Sequence, residues 1–342
     1  MKLPDNIDWS NLVVFGDLHL GLKHNSRQHN EWCAMYLDWM IQQSHARGIR
    51  TCVFLGDWSH HRAHVNVVTL NYSLSCLRKL SEHFDHVIML LGNHDLYYRD
   101  RLDMHSIPYV KEFANVYLIH EIVETDQIAF VPWLVGDDWK KIPHIRKPYL
   151  MCHAEIARFQ MNALIEMPDN GTLTEDHFEH QKLVMSGHFH KRQRRKHILY
   201  IGNAFPHNFS DVNDDARGCV FWQPGSEPEF ATWPQAPKYR LFNLSEIMSQ
   251  PHVHVDDRTF ARIQVDLDVS HEDAMFLKEL FESQLHVLDV KFLHNSSQLD
   301  QTALADAQIN FETVDSIVLS HLNSIESVSM QKETLIQIYQ NI

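Results

Sequence analysis

The sequence predicts an α/β protein, a two-sheet β-sandwich flanked by helices, followed by a small α/β domain and C-terminal helices. Short apolar runs recur along the first part of the chain. Segments of helical periodicity separate the first three runs, and the spacing shortens to that of a β-rich region after Val116. The 342 residues, 44% of them hydrophobic, allow one large and one small domain at roughly 150 residues per domain.

Two helices are predicted between the first three apolar runs. Apolar residues recur at helical spacing from Trp32 to Met40, ahead of Gly48, and again from Leu70 to Leu80. The resulting order of strand, helix, strand, helix and strand predicts parallel strands joined by right-handed crossovers.

Further short strands are predicted beyond the second helix. They are Val116–Ile119, Ile128–Val131, Tyr149–Cys152, Leu199–Ile201 and Gly218–Trp222. Together with the first three strands they are enough for two packed sheets, with the loops that carry chemistry gathered on one rim.

A cluster of prolines between Pro224 and Pro237 predicts the edge of the first domain, which we place at residues 1–245. Residues 246–305 are predicted to form a small α/β domain with a strand, a helix and a second strand. These elements are Thr259–Leu267, Glu272–Leu285 and Val287–Leu293. Residues 306–342 carry apolar residues at helical spacing and predict two terminal helices.

A residue that can hold a metal ion follows each of five apolar runs. The runs are Leu12–Phe15, Val53–Leu55, Val87–Leu91, Leu150–Cys152 and Leu183–Met185. The residues that follow are carboxylates, imidazoles and one amide, namely Asp17, His19, Asp57, Asn93, His153, His188 and His190. Each run is interpreted as a buried strand that delivers its ligand at the carboxyl end.

These ligand types suit two divalent cations that share a carboxylate. Two ions about 3.5 to 4 Å apart can polarise a phosphate and stabilise both oxygens of an in-line displacement. Asp17 and His19 are two residues apart at a strand end, so both side chains can face one ion, and His188 and His190 repeat this spacing. Asp57 is the expected bridging carboxylate. Imidazole with carboxylate and amide oxygen favours manganese, iron or zinc over calcium.

Each fragment alone also has an ordinary structural explanation. Gly16–His19 and Gly92–Asp95 can be turns, because Asn and Asp favour turn geometry. His153 alone is more often a core histidine than a ligand. The ordered set of five, each after an apolar run, is rare by chance and favours the two-metal interpretation.

The blocks G-D-x-H, G-D, G-N-H-D, H and G-H-x-H, in this order, resemble the signature of the calcineurin-like metallophosphoesterases. The resemblance extends from Leu12 to about Trp222. It is strongest to the SbcD-type nucleases, the DNA repair and recombination subunits of bacteria and tailed phages. The resemblance implies two divalent ions, expected to be Mn²⁺. One would be held by Asp17, His19, Asp57 and His190, and the other by Asp57, Asn93, His153 and His188.

The resemblance also implies catalytic roles for residues that are not ligands. His94 is expected to assist the transition state or the leaving group, with Asp95 orienting its ring. A second helper histidine is expected three residues after the bridging aspartate, at His60. The neighbouring His61 is an alternative for that role.

A run of cations follows the last metal-binding histidines and can hold a phosphate backbone. The run comprises Lys191, Arg192, Arg194, Arg195 and Lys196. A solvated hairpin tip is an equally good explanation. Arg99 and Arg101 can extend the run or merely pair with Asp100 and Asp103. The net charge of −14 repels a polyanion at long range, so contact with DNA must depend on local cations and bound metal.

Taken together, the resemblance implies a manganese-dependent DNA exonuclease and endonuclease subunit that acts in double-strand-break repair or recombination. It implies that the small α/β domain caps a DNA channel and that the helices beyond residue 310 dock on an SMC-like coiled-coil ATPase. A homodimer of the phosphoesterase domain is also implied. An apolar helical stripe is also compatible with packing on its own domain.

Two other functions stay open. One is a nucleotide or small-molecule phosphodiesterase that uses the same site, and the other is a DNA-architectural subunit with a vestigial site. Five separated cysteines without a C-x-x-C pair are expected to be reduced core thiols. Without a signal peptide or a long apolar stretch, the chain is expected to be soluble, cytoplasmic (in the host cytoplasm if viral) and without a membrane partner.

Overall fold

The computed structural model of the protein describes residues 2–161, 165–169, 171–249 and 254–294. The strands are β1 (Leu12–Phe15), β2 (Thr51–Phe54), β3 (His86–Leu90), β4 (Val116–Ile119), β5 (Val123–Glu124), β6 (Ile128–Val131), β7 (Tyr149–His153), β8 (Leu183–Gly187), β9 (Gln193–Arg195), β10 (Ile198–Tyr200), β11 (Gly218–Trp222), β12 (Glu229–Thr232), β13 (Lys238–Asn243), β14 (Thr259–Val265) and β15 (Asp289–His294). The helices are α1 (Leu22–Asn25), α2 (Arg27–Ala46), α3 (Val67–His83), α4 (Leu244–Ile247) and α5 (His271–Ser283). Short 3-10 helices occur at Pro108–Glu112, Asp138–His144, Glu175–Phe178 and Phe209–Asp211.

Two six-stranded sheets form the sandwich. The first has the order β12-β11-β1-β2-β3-β4, and the second has the order β5-β6-β7-β8-β10-β9. Strands β1 to β4 are parallel, and the register brings Val14 opposite Val53 and Val53 opposite Ile88. In the second sheet β6, β7 and β8 are parallel as well. The predicted fold class and the predicted parallel order of the first three strands are therefore confirmed.

The alternation of side chains along each strand divides the core. Leu12 and Val14 of β1 point between the sheets, where they join Phe130 and Met151 of the second sheet. Phe15, the next residue along, packs instead with the helices on the outer face. Because the central strands of these sheets are buried on both faces, they are continuous apolar runs, which is why the runs are visible in the sequence.

Helices α2 and α3 cover the outer face of the first sheet and begin at side-chain caps. Asn66 accepts hydrogen bonds from the backbone N–H groups of Val68 and Thr69, and Ser26 accepts one from His29. After α2 the chain turns at Gly48, which has a φ of +68°, a conformation that glycine adopts without strain. The predicted helices around Trp32 to Met40 and Leu70 to Leu80 are confirmed.

A third, smaller sheet has the order β13-β14-β15, with all strands parallel. It contains the predicted strands near residues 259 and 289, and α5 lies between them in the chain. The first strand of this sheet, Lys238–Asn243, precedes the boundary predicted near residue 245 and lacked a clear apolar run. All described residues belong to one compact unit, residues 1–295, and the domain boundaries stay predictions.

The predicted helical segment at residues 306–342 lies outside the described residues. Within the described residues, no helix combines the length and the apolar character that a bilayer crossing requires.

Substitution Phe130→Ala tests the inter-sheet core. Phe130 is fully buried and packs against Trp9, so the variant should lose about 3 to 5 kcal/mol of unfolding free energy through lost burial and an unfilled cavity. Urea denaturation followed by circular dichroism measures the change. The control is Phe276→Ala, which removes the same ring from a side chain that is 67% exposed and should change stability by about 0.5 kcal/mol or less. Equal losses in the two variants would contradict this core.

Candidate metal centre

The predicted ligands follow the carboxyl ends of parallel strands in both sheets. Asp17 and His19 follow β1, Asp57 follows β2, and Asn93 follows β3. In the second sheet His153 ends β7, while His188 and His190 follow β8. All of these side chains are buried, the most exposed being His190 at 6%. The structure thus brings together every residue that was predicted to bind a metal.

The ligand loops have unusual backbone geometry. Asp17, His19, Asp57 and His188 have φ values of 52°, 49°, 60° and 88°, in the left-handed region that L-residues rarely adopt. Backbone hydrogen bonds from Asp17 to Gly56 and from His19 to Asp57, each 3.0 Å, hold two of these loops together. Strain of this kind persists where the surrounding structure fixes the chain, and it is concentrated at functional sites.

Gly92 allows the loop after β3 to approach the loop after β2. A Cβ atom at this position would lie 2.2 Å from Asp57 Oδ1 and 2.3 Å from the Asp57 backbone nitrogen. Any side chain there would displace the central carboxylate. The glycine in the G-N-H-D block is therefore a packing requirement of the site.

The ligand atoms form two groups that meet at Asp57. Asp17, His19 and His190 bring their ligand atoms within 4.8 Å of one another, as do Asp57, His153 and His188. Oδ2 of Asp57 lies 3.6 Å from Nε2 of His19 and 3.5 Å from Nε2 of His153, so it faces both groups. This is the position that a bridging carboxylate needs.

Asn93 belongs to the second group. Its Oδ1 lies 3.0 Å from Nε2 of His153 and 2.9 Å from Nδ1 of His188. In the first group Nε2 of His19 lies 3.1 Å from Nε2 of His190. The two groups match the two ligand sets implied by the family resemblance.

The electrostatics of the cluster fit divalent cations. Burial lowers the pKa of His19 and His188 well below the usual value and that of His190 to about 4, so these rings are neutral, the form that binds metals. Burial, and the charge of Asp57, raise the pKa of Asp17 to about 8. Burial also opposes the charge on His153, but Asp57 and Asp17 raise the pKa of that ring to about 9.

Asp57 itself stays ionised. Burial favours its neutral form, yet the nearby His153 and His94 hold its pKa below the usual range. Buried carboxylates that compete for protons in this way are relieved when cations bind between them. The donor set and its charge therefore fit two divalent ions.

Groups outside the ligand shell fix the imidazole rings. Nδ1 of His153 lies 2.6 Å from the carbonyl oxygen of Leu55, which leaves Nε2 for the metal group. The backbone N–H of His188 donates to Oδ1 of Asp17 at 3.1 Å. Such contacts set the orientation of the ligands before an ion binds.

His94 lies beside the first ligand group and is only partly buried. Its backbone N–H donates to Oδ1 of Asp57 at 2.8 Å, and its ring meets the His19 ring edge-on at 4.8 Å. Nδ1 of the ring lies 2.8 Å from the carbonyl oxygen of His60. This contact makes Nδ1 the donor and leaves Nε2 as the nitrogen for proton transfer.

Asp95 was predicted to orient the His94 ring, and that role stays a prediction; the hydrogen bonds found for its carboxylate in the described residues run to backbone groups. The fully buried carboxylate accepts hydrogen bonds from the backbone N–H groups of Asp57 and Gly92, both at 3.0 Å, and of Ser59 at 2.9 Å. Asp95 thus ties the loops after β2 and β3 together. The sequence does not reveal this role, because an adjacent carboxylate is compatible with either function. Burial, and the charge of Asp57, raise the pKa of Asp95 to about 7.

The structure places His60, more than His61, against the cluster. The His60 ring stacks on His94 with centroids 5.3 Å apart, and its Nδ1 is 3.5 Å from Nδ1 of His19. His61 stacks on His64 instead, at 4.9 Å. The catalytic role of His60 remains a prediction.

The predicted run of cations lies on and beside the hairpin of β9 and β10, where most of its charges already have partners. Arg194 pairs with Glu227 at 2.5 Å, and Lys196 pairs with Glu175. Lys191 donates to Gln160, and the Arg192 guanidinium lies 4.0 Å from the centre of the Phe230 ring. Arg195 donates to the carbonyl oxygen of Arg158. Binding of DNA by these residues stays a prediction.

Two residues near the site were missed by sequence reasoning. Arg62 is partly buried, and no ion pair to it occurs within the described part of the chain. Burial lowers its pKa, while the charges of Asp57 and Asp95 oppose that shift. His207 is fully buried, with its ring 5.6 Å from that of His19 and 5.3 Å from that of His190. Arg62 follows the G-D block closely enough to have been noticed, but no local pattern marks His207.

No protein family and no curated protein matches the chain. One solved structure that matches is the nuclease MPE of Pseudomonas putida, with 15% identity, 63% of this chain and 84% of that chain covered, and a TM-score of 0.30. Another is a glutamine-dependent NAD+ synthetase from Acinetobacter baumannii in complex with ADP, with 10% identity, 97% and 72% covered, and a TM-score of 0.28. Neither similarity is close enough to support an inference about activity, which must come from the site itself.

The number of metal ions that each variant retains distinguishes residues that bind the metal from residues that only lie beside the site. Asp57→Ala should lose both ions after dialysis, because it removes the atom that faces both groups, whereas His94→Ala should retain two. Elemental analysis of protein equilibrated with Mn²⁺ and then desalted gives the stoichiometry. His105→Ala, at a partly buried histidine outside the cluster, serves as the control. Loss of metal from His94→Ala would show that His94 is a ligand.

Proposed function

We propose that the protein is a two-metal phosphodiesterase whose substrate is DNA. The observation that carries the proposal is the position of Asp57, whose Oδ2 faces two buried ligand groups while its Oδ1 holds the backbone of His94. A bridging carboxylate between mixed oxygen and nitrogen ligands, with a partly buried histidine beside them, is an arrangement suited to phosphoryl transfer.

Two divalent cations, proposed to be Mn²⁺, would be held by the two groups that share Asp57. When bound, they polarise the phosphate, activate water for attack and neutralise the charge of the transition state. The ligand sets are the ones described above, Asp17, His19, Asp57 and His190 for one ion and Asp57, Asn93, His153 and His188 for the other.

His94 supplies the proton that the leaving oxygen needs. Its Nδ1–H donates to the carbonyl oxygen of His60, which directs Nε2 to the reaction. The hydrogen bond between its backbone N–H and Asp57 fixes the distance between the proton donor and the ligand groups. The stacked His60 ring restricts the motion of the His94 ring.

Arg62 supports a phosphate substrate. It is a guanidinium near the cluster without an ion pair among the described residues, and guanidinium groups bind phosphate oxygens in pairs. Two features agree with the SbcD-type pattern: the aspartate of the G-N-H-D block, and the small sheet β13-β14-β15 that follows β12. They support DNA as the substrate and repair or recombination as the process.

A nucleotide or small-molecule phosphodiesterase is the second candidate. The net charge of −14 favours it, because a long polyanion is repelled at a distance while a mononucleotide is repelled less. The engagement of Arg194 and Lys196 with carboxylates favours it as well, because those cations are less available to a DNA backbone.

A substrate panel separates the two candidates. With Mn²⁺, the wild-type chain should cleave linear and hairpin DNA in addition to a chromogenic phosphodiester and cyclic nucleotides. His94→Ala should lower kcat on every cleaved substrate by about 10²- to 10⁴-fold, the contribution typical of general acid–base catalysis. The exposed His144, replaced by alanine, is the matched control and should leave kcat unchanged. Activity confined to the small substrates, even with an ATPase partner present, would rule out the nuclease.

We further propose that residues 306–342 bind an SMC-like coiled-coil ATPase and that the phosphoesterase domain forms a homodimer. The helical spacing of apolar residues in that segment supports the first proposal, and the family resemblance implies the second.

Substitution tests the proposed partner surface. Replacing Ile317 and Leu322 by aspartate introduces charge into the predicted apolar stripe and should abolish co-purification with the ATPase. Asn323→Asp adds a charge on the opposite side of the predicted helix and should have no effect. Unchanged co-purification of the double variant would exclude this surface, and light scattering of the wild-type chain tests the dimer.

A further inference from the structure

A cavity of about 200 Å³ lies beside the second ligand group. Its lining includes Trp133, Trp139, Glu155 and Leu173. Trp133 connects this lining to the ligands, because its ring centroid lies 5.0 Å from that of His188 and 5.9 Å from that of His153. A molecule in the cavity would therefore contact a side chain that itself contacts two residues proposed to hold a metal ion.

The walls of this cavity are held by the fold. The backbone N–H of Trp133 donates to the carbonyl oxygen of Leu91 at 2.8 Å, which ties the tryptophan to the loop that carries Asn93. Trp139 is in the 3-10 helix Asp138–His144, with its ring 5.3 Å from that of His177. The carbonyl oxygen of Leu173 accepts a hydrogen bond from Ala157 at 2.9 Å.

The lining of the cavity contains a carboxylate. Glu155 is the one charged residue that lines the cavity, and its side chain is 31% exposed. Its Oε2 lies 3.9 Å from Nε2 of His188, so the carboxylate stands at the end of the cavity nearest the ligand group. A carboxylate repels a phosphate and accepts hydrogen bonds from N–H donors. The lining therefore disfavours an anionic occupant, and Glu155 can pair with an N–H donor on the molecule that binds.

We propose that this cavity binds the base of the nucleotide whose phosphate is cleaved, and that it prefers bases with an exocyclic amino group. The inference rests on the proposed phosphodiesterase function and adds a base-binding subsite to it. Two tryptophans line the cavity, and indole rings are the kind of surface on which single-stranded bases stack. Glu155 accepts from the amino group of cytosine or adenine, which thymine lacks.

The size of the cavity restricts the occupant to a single base. Pockets for drug-sized molecules measure roughly 300 to 1,000 Å³, and this cavity is smaller. A base inside a duplex cannot enter such a recess without unstacking. The substrate must therefore present an unpaired or splayed nucleotide at the cleavage site.

The test compares two chromogenic esters with the full-length protein and Mn²⁺. The p-nitrophenyl ester of deoxycytidine 5′-monophosphate carries a base, and methyl p-nitrophenyl phosphate does not. Trp139→Ala should lower kcat/KM for the nucleotide ester by about tenfold, the loss expected for one stacked base. For the methyl ester, kcat/KM of Trp139→Ala should stay within about twofold of the wild-type value. In the described part of the chain the Trp139 ring contacts His177 and none of the proposed metal ligands.

Three further variants distinguish the loss of base stacking from a general loss of folding and from the effect of the Glu155 charge. Trp139→Phe keeps an aromatic wall and should recover most of the activity on the nucleotide ester. Trp39→Ala removes a partly buried tryptophan from α2 and should affect neither ester. Glu155→Gln should reduce the preference for the deoxycytidine ester over the thymidine ester. An unchanged preference, or an equal loss on both esters in Trp139→Ala, would overturn the base subsite.

Binding without turnover separates this inference from the proposed activity. If the wild-type chain hydrolyses neither ester, the phosphodiesterase proposal fails, and the cavity is then tested by tryptophan fluorescence. Deoxycytidine 5′-monophosphate should bind about tenfold more tightly than deoxyribose 5-phosphate, and Trp139→Ala should abolish the difference. Equal affinity of the two ligands for the wild-type chain would overturn the inference.

Discussion

The burial of one ionised carboxylate, Asp57, is the constraint on which the rest of the site depends. A buried charge without partners is very unfavourable, so the surrounding structure has to supply compensation from several directions. Oδ1 accepts the backbone N–H of His94, and Oδ2 faces His19 and His153. The backbone N–H of Asp57 is itself bound by Asp95. These contacts bring the chain after β1, the loop after β3 and the end of β7 to the same point.

This convergence explains the strained backbone and the close packing of the loops. Asp17, Asp57 and His188 adopt left-handed conformations because their side chains must turn into the centre immediately after a strand ends. Gly92 has to lack a side chain because Asp57 occupies the space where a Cβ would be. The free-energy cost of these conformations is offset by the buried hydrogen bonds of Asp95 and by packing of the strands beneath. The rigid sandwich is therefore what makes the strained rim possible.

The part of the site that could be predicted from the sequence is the part created by strand ends. Strands buried on both faces are apolar runs, and a ligand directly after a run is visible in one dimension, as with Asp17 and His153. Contacts between distant segments leave no such pattern. The pairing of Arg194 with Glu227, the bonds that Asp95 makes to three backbone groups, and the approach of Trp133 to His188 each depend on the tertiary fold. For the same reason the sequence did not predict that β13, which precedes the predicted small domain, pairs with β14 in the small sheet.

The charge of the chain restricts how the proposed phosphate substrate could be recruited. At −14 the protein repels polyanions, and its most concentrated run of cations is largely paired with carboxylates or hydrogen-bonded to neutral groups. Two divalent ions would bring four positive charges to a rim where Asp17, Asp57 and Asp95 are buried, which reverses the sign of the local field. Attraction would then be confined to about a Debye length of 8 to 10 Å around the centre. If the proposed function holds, the bound metals would both supply the chemistry and attract the substrate, and Arg62, whose pKa is affected by Asp57 and Asp95, would be a protein cation near them.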